Sequence, residues 1–322
     1  MVATLSIVIP VYRNEGSIVP LVAALAEVAR TARKNFDCTL EVVFVVDGSP
    51  DNSYGVLAQA LPAAPFASQL LLHSRNFGSF AAIRTGLQAA TGQYFSVIAA
   101  DLQEPPELTL QFLERLLTGD CDVVVGCREN RQDPLTTRLA SNLFWKLYKK
   151  FIIHDIPEKG VDVFGCDRIF RDRLLALEES NSSLVGLLFW LGFRRTEVTY
   201  ERRLRQHGKS AWTLKKKINY LLDSVFSFTD LPIKLLSAFG LLGIIASGLL
   251  GTIIMLAKFL GDIPVPGYAA TVLSVLFFGA LNSLGLGIIG AYAWRAYENT
   301  KGRPLAVTML EQKFAGSDNT AA

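Results

Sequence analysis

Hydrophobic and polar positions in the first two hundred residues fall into two alternating patterns. Short apolar, β-branched runs (LSIVIPV, LEVVFVV, QLLLH, YFSVIAA and CDVVVG) read as strands with few polar interruptions. Between them the spacing predicts helices over residues 17–33, 52–61, 79–90 and 105–117, the last opened by Pro105 and Pro106, where a missing N–H does no harm. Strand–helix alternation with near-continuous apolar strands predicts an α/β domain whose mostly parallel sheet is covered on both faces. Such sheets bind ligands beyond the carboxyl ends of their strands, where VDGSPDNS and ADLQEPPE fall.

The pattern then changes. Two segments are amphipathic: RLASNLFWKLYKKFI repeats Leu139, Leu143, Leu147 and Phe151, and WTLKKKINYLLDSVF repeats Leu214, Ile218, Leu221, Leu222 and Val225. Each flanks its apolar stripe with lysines, so each suits a helix lying on a membrane surface or one packed on the core. Residues 235–257 and 263–294 contain no charged side chain, and each run exceeds the roughly 20 residues a bilayer-spanning helix needs. Two transmembrane helices are therefore expected. Basic residues before the first run (Lys209, Lys215, Lys216, Lys217, Lys234) and after the second (Arg295, Lys301, Arg303) place both ends in the cytoplasm. The start, MVATLSIVIPVYRNE, has no basic leader region and its apolar stretch stops at Pro10, which argues against a signal peptide or a span there.

Composition adds less. A net charge of +3 over 322 residues gives no reason to expect a nucleic-acid partner, and the basic cluster before the first apolar run suits an anionic membrane surface. Cys38, Cys121, Cys127 and Cys166 lack zinc-like spacing and read as reduced structural thiols. His73, His154 and His207 form no metal or triad pattern, and neither a GxGxxG nor a Walker sequence occurs.

Four ordered pieces carry a family signal: SIVIPVYRNEGSI, VVDGSPDNS, SRNFGSFAAIRTGLQAATGQYFSVIAADLQEPPE and RRLRQHGKSAW. Together they resemble family 2 glycosyltransferases of the polyprenol-phosphate type, the group of dolichyl-phosphate mannosyltransferase and bactoprenol glucosyltransferases, over about residues 4–305. The resemblance implies a GT-A domain over residues 1–205 with an amphipathic helix at about 135–153. A juxtamembrane segment over 206–232, a two-helix transmembrane region over 233–296 and a cytoplasmic tail over 297–322 would follow. It implies a nucleotide-diphosphate sugar donor, a polyprenyl (undecaprenyl- or dolichyl-type) phosphate acceptor and Mg²⁺ or Mn²⁺, in the bacterial inner membrane, with homo-oligomers allowed. Pro10, Tyr12, Glu15 and Asp47 match donor-contacting positions, with Val46 where the family's first acid often stands. Asp101 and Gln103 match the end of its D-x-D-x-Q metal segment, with Ala99 replacing the first acid. Arg128 matches a basic position at the donor pocket; a structural salt bridge is its plain alternative. Arg202, Arg205 and Ser210 match R-x-x-R-x-x-G-x-S, with Ala211 at a position that is often lysine and Lys209 nearby. Guanidinium forks suit phosphate, although a solvated basic face near lipid would look the same.

Chemistry narrows these roles. On a strand, residues 99, 101 and 103 share a face, and Mg²⁺ needs only one or two protein ligands when phosphates supply the rest. Helix capping is the alternative for Asp101. Asp162 aligns with an acid often called the base. A phosphate monoester has a second pKa near 6 and needs little help to ionise, so positioning is the better role for Asp162. The expected activity is inverting sugar transfer to the lipid phosphate, with UDP-glucose the first donor to try and Asp162, Asp101 and Arg205 at the reacting centre. Two rivals remain: a processive polysaccharide synthase, for which two spans offer little channel, and an inactive nucleotide-sugar-binding scaffold, to which the losses at 46 and 99 lend weight.

Overall fold

The computed structural model describes residues 3–129, 149, 153, 155–157, 161, 163–179, 182–203, 214–260 and 267–316. The chain divides into two compact units, residues 1–217 with 303–322, and residues 218–302.

The first unit is built on one sheet. Its strands are β1 (Ala3–Val11), β2 (Cys38–Val46), β3 (Ala67–His73), β4 (Tyr94–Val97), β5 (Val123–Arg128), β6 (Val163–Asp167), β7 (Arg195–Tyr200) and β8 (Thr308–Phe314). They are ordered β7-β5-β6-β4-β1-β2-β3-β8. The pairs β1–β2, β1–β4, β2–β3 and β5–β7 are parallel. Only β6 and β8 run against the rest. The expectation of a mostly parallel sheet is thus met, with antiparallel insertions that apolar periodicity cannot reveal. Among the described residues the unit also holds helices α1 (Ile18–Phe36), α2 (Ser53–Ala60), α3 (Ser79–Ala89), α4 (Leu108–Leu117), α5 (Arg168–Leu175) and α6 (Leu184–Trp190).

Burial explains the pattern. Along α1, Ile18, Leu21, Leu25, Val28 and Ala32 recur every three or four residues and all are buried. In β2 every residue but Thr39 is buried, as a strand covered on both faces requires. Phe44, Phe95, Phe112 and Phe170 are the largest fully buried side chains; each large apolar side chain so removed from water contributes about 1.5–3 kcal/mol before chain entropy is subtracted. The N-terminal edge of the sheet is closed by a buried carboxylate. Glu41 accepts from Gln69 Nε2 (2.8 Å), Thr91 N (2.8 Å), Thr91 Oγ1 (3.0 Å) and Ser6 Oγ, which ties the α3–β4 turn down.

Two boundaries differ from the sequence reading. The strand expected over YFSVIAA stops at Val97. Ile98 N still donates to Val8 O, but Leu102 lies in the left-handed region (φ 57°), so residues 99–103 form a turn rather than a pleated strand. The same-face argument for positions 99, 101 and 103 therefore does not apply. Likewise α4 begins at Leu108, not Pro105: the prolines form a preceding turn whose carbonyls accept from Leu108 N and Thr109 N. After residue 302 the chain rejoins the first unit, and residues 308–314 form β8, antiparallel to β3 from Ser68↔Phe314 to His73↔Thr308.

The second unit is helical, comprising most of α7 (Leu214–Phe228) with α8 (Leu231–Phe259) and α9 (Tyr268–Thr300). Residues 219–228 and 231–243 meet at an elbow of 78°. The elbow is held by α9: Tyr292 Oη donates to Thr229 O (3.2 Å), and Arg295 pairs with Asp223 (2.7 Å) while lying 4.5 Å over the Phe226 ring. Within α9, residues 277–300 are long and apolar enough to cross a membrane.

Candidate active site

Strands β1, β2, β4, β5 and β7 all point their carboxyl ends to one edge, so the sequence candidates that follow them gather there. Pro10 lies near the end of β1, and Tyr12 and Glu15 lie just after it. Asp47 follows β2, Asp101 and Gln103 occupy the turn after β4, Arg128 ends β5 and Arg202 follows β7. Asp162, Arg205, Lys209 and Ser210 lie outside the described residues, as does most of the first amphipathic segment.

Two loops form the floor of this edge and are clasped to each other. Arg13 N donates to Ser49 Oγ (2.8 Å), Asn14 N to Ser53 Oγ (3.2 Å) and Glu15 N to Asp51 Oδ2 (3.1 Å). Asn52 N returns a bond to Glu15 Oε2 (3.0 Å). Asp51 is the hub. Burial works to raise its carboxyl pKa, but bonds from Ser49, Ser53 and the backbone N–H groups of Glu15 and Ser53 outweigh this and hold it below its ordinary value. Glu15, matched to the donor on sequence, here braces the neighbouring loop. Arg13 adopts φ 57°, a conformation that costs a residue with Cβ about 1–2 kcal/mol.

Asp47 is buried, and its carboxylate is directed into the loop before α3. It accepts from His73 Nδ1 (2.8 Å), Phe77 N (2.8 Å) and Gly78 N (2.7 Å). His73 Nε2 meets Thr85 Oγ1 (3.0 Å) on α3, so the group ties β2, β3, the loop and the helix together. The loop packs so tightly that a Cβ on Gly48 (φ 56°) would lie 2.3 Å from the Arg75 carbonyl carbon. Val46, in place of the family's first acid, is 1% exposed and belongs to the core.

The turn after β4 and the strand end after β7 form a second cluster. Gln103 N donates to Asp101 Oδ1 (3.2 Å), and Arg202 Nη2 donates to Gln103 Oε1 (2.7 Å). Arg202 Nε lies 3.5 Å from Glu104 Oε1, an acid whose side chain is only 3% exposed. Two further bonds seal the contact: backbone Arg203 N to Gln103 O (2.8 Å) and the Gln103 side-chain Nε2 to Arg203 O (3.4 Å). The structure thus brings Asp101, Gln103 and Arg202 together across about a hundred residues of sequence. Glu104, His73 and Asp51 were missed. Asp51 had a local signal, the S-x-D-x-S spacing of a side-chain-stabilised turn; the other two depend on partners far along the chain.

Asp101 and Gln103 present hard oxygen donors of the kind Mg²⁺ and Mn²⁺ accept. Among the described residues no three His, Cys, Asp or Glu side chains converge. An ion held by these two groups would take most of its ligands from water and substrate phosphates.

Open α/β sheets take their ligands beyond the carboxyl ends of their strands, and there this domain gathers acid, amide and guanidinium groups. Residues 6–176 match the model of Glycosyl transferase family 2, and the chain belongs to that family. An uncharacterized glycosyltransferase of Synechocystis is 33% identical over 308 residues, covering 95% of this chain and 94% of that protein. The bactoprenol glucosyl transferase of Shigella phage SfX is 30% identical over 301 residues, 93% of this chain and 97% of that protein. The similarity to the polyprenol-phosphate type expected from the motifs is borne out at this level. Among solved structures, glucosyl-3-phosphoglycerate synthase from Mycobacterium tuberculosis, crystallised with Mn²⁺, uridine diphosphate and phosphoglyceric acid, aligns over 69% of this chain and 78% of that one, with TM-score 0.47 and 14% identity.

Proposed function

We propose that this family 2 member transfers a sugar, with inversion, from a nucleotide-diphosphate sugar to a polyprenyl phosphate in the membrane. The observation that carries the reading is the Asp101–Gln103–Arg202 cluster at the carboxyl edge of the sheet. The near-full-length similarity to bactoprenol glucosyl transferases supports the lipid acceptor and makes UDP-glucose the first donor to test.

A bound Mg²⁺ or Mn²⁺ would be shared by Asp101, Gln103 and the diphosphate, and would neutralise charge on the leaving group. The chain's own groups do the rest. Asp47 and the Asp51 clasp hold the loops that shape the donor cradle, so their effect on the donor is indirect. Arg202 and Arg128 orient phosphate oxygens, and Arg205, Lys209 and Ser210 extend that role toward the acceptor. The acceptor oxygen, already ionised, attacks the anomeric carbon while the nucleoside diphosphate departs from the opposite face. Asp162 positions the reacting groups rather than removing a proton.

For the membrane, α8 and α9 together supply two spans and α7 lies along the surface. Support comes from side chains turned outward: Leu241, Leu242, Leu249, Leu286 and Ile289 are all more than half exposed, which suits surroundings of hydrocarbon. The return of β8 to the sheet adds a topological argument. A chain that leaves the sheet unit and rejoins it must cross the bilayer an even number of times.

The test uses detergent-purified protein, polyprenyl phosphate, Mn²⁺ or Mg²⁺ and a panel of nucleotide sugars, with mass spectrometry of the lipid fraction. A glycosylated lipid that forms with one donor and vanishes with EDTA supports the reading. Neither lipid product nor nucleotide release from folded protein overturns it in favour of an inactive scaffold.

A further inference from the structure

We propose that, without donor, Arg202 holds part of the divalent-ion site closed, and that it leaves Gln103 for the donor's diphosphate by turning about the buried Glu104. The inference rests on the metal and donor reading above. The atom that a cation would take from Gln103 is Oε1, and Arg202 Nη2 sits on that atom at 2.7 Å. A guanidinium and a divalent ion on one amide oxygen would crowd three positive charges within a few ångströms, and Coulomb repulsion at that range disfavours joint occupancy. The position that could offset it is lost, since Ala99 stands where the family has a second acid.

The geometry also supplies the pivot. Glu104 is buried and faces Arg202 Nε at 3.5 Å, whereas the Arg202 side chain is 29% exposed. The main chain need not follow, because Arg203 N–Gln103 O and Gln103 Nε2–Arg203 O already bind the two segments. A diphosphate offers the guanidinium fork two anionic oxygens in place of one neutral amide oxygen, a stronger partner. Its arrival therefore draws the guanidinium off Gln103 Oε1 as it brings phosphate ligands for the ion. Metal and donor then favour each other's binding, and by linkage the factor is the same in both directions.

The experiment measures Mn²⁺ binding from the loss of the free-ion electron paramagnetic resonance signal, without and with UDP or GDP. In wild type, Mn²⁺ binding is weak alone and strengthens with the nucleoside diphosphate. Arg202→Gln should tighten donor-free Mn²⁺ binding by about tenfold and shrink the diphosphate's enhancement. Removing Arg202 also takes a positive charge from beside Glu104, whose carboxylate could then itself attract Mn²⁺. The double variant Glu104→Gln/Arg202→Gln removes that route. If it also binds donor-free Mn²⁺ more tightly than wild type, the gain comes from releasing Gln103. Donor-free binding no tighter than wild type in the double variant overturns the inference, while wild-type enhancement by UDP or GDP leaves the metal reading intact. Wild type that holds no Mn²⁺ under either condition overturns both.

Discussion

A single side chain can carry the only full negative charge offered to an ion. With Ala99 in place of an acid, Asp101 is that group among the described residues assigned to the ion. Asp101→Asn should lower lipid glycosylation by about 100-fold, measured at saturating donor across a Mn²⁺ series, and excess Mn²⁺ should not restore it. Turnover like wild type would remove Asp101 from the metal site. Sequence made Asp101 and Gln103 legible because they sit in a short motif at a predicted strand end, and Arg202 because it opens a short basic motif. It left Glu104 and His73 in shadow for a physical reason. Their meaning lies in Arg202, on a distant strand end, and in Asp47, on the neighbouring strand, and neither pairing leaves a local trace. Asp47 was read as a donor contact because the motif is local, while the N–H groups of Phe77 and Gly78 that its carboxylate accepts become neighbours only after folding.

Strands and helices were the most readable layer, since burial on both faces writes itself into continuous apolar runs. Their ends were less so: a left-handed Leu102 cut β4 short, and no propensity rule places a leucine there. The loops between elements set two expectations. Asp51 has a depressed folded pKa, so its contribution to stability is fully present above its unfolded pKa, about 3.9. It is lost as pH falls through the folded value. Asp51→Asn should therefore be less stable than wild type near neutrality and should flatten the decline in thermal midpoint between about pH 5 and 2. A decline as steep as wild type's would show that the clasp does not carry the acid response. Gly48→Ala is the sharper lesion. It adds a Cβ 2.3 Å from backbone and imposes a left-handed conformation on alanine, so a loss of about 2–4 kcal/mol is expected by denaturant unfolding. An unchanged midpoint would mean that the 74–78 loop shifts freely.

For the whole molecule, the proposed hairpin topology puts residues on both sides of it in one compartment. All four native cysteines are buried, so an engineered one can be labelled selectively in intact cells. Gly261→Cys should react with a membrane-impermeant maleimide from outside, and Ser317→Cys only after the cells are opened. Labelling of both from outside, or of neither, would refute the even-crossing arrangement. Sequence marked the two uncharged runs but not the strand beyond them. TMLEQKF reads as a polar tail until β3 offers it an edge to pair with.

That late strand ties maturation to the order of synthesis. Domains generally form from the amino terminus as the chain emerges, so β1 to β7 can assemble while β3 still has an open flank. Residues 308–314 leave the ribosome only after both hydrophobic helices. The last hydrogen-bonded ladder thus closes after the proposed anchor has been made, and a chain that failed to insert the proposed hairpin would bring its closing strand to the sheet with those helices still in water.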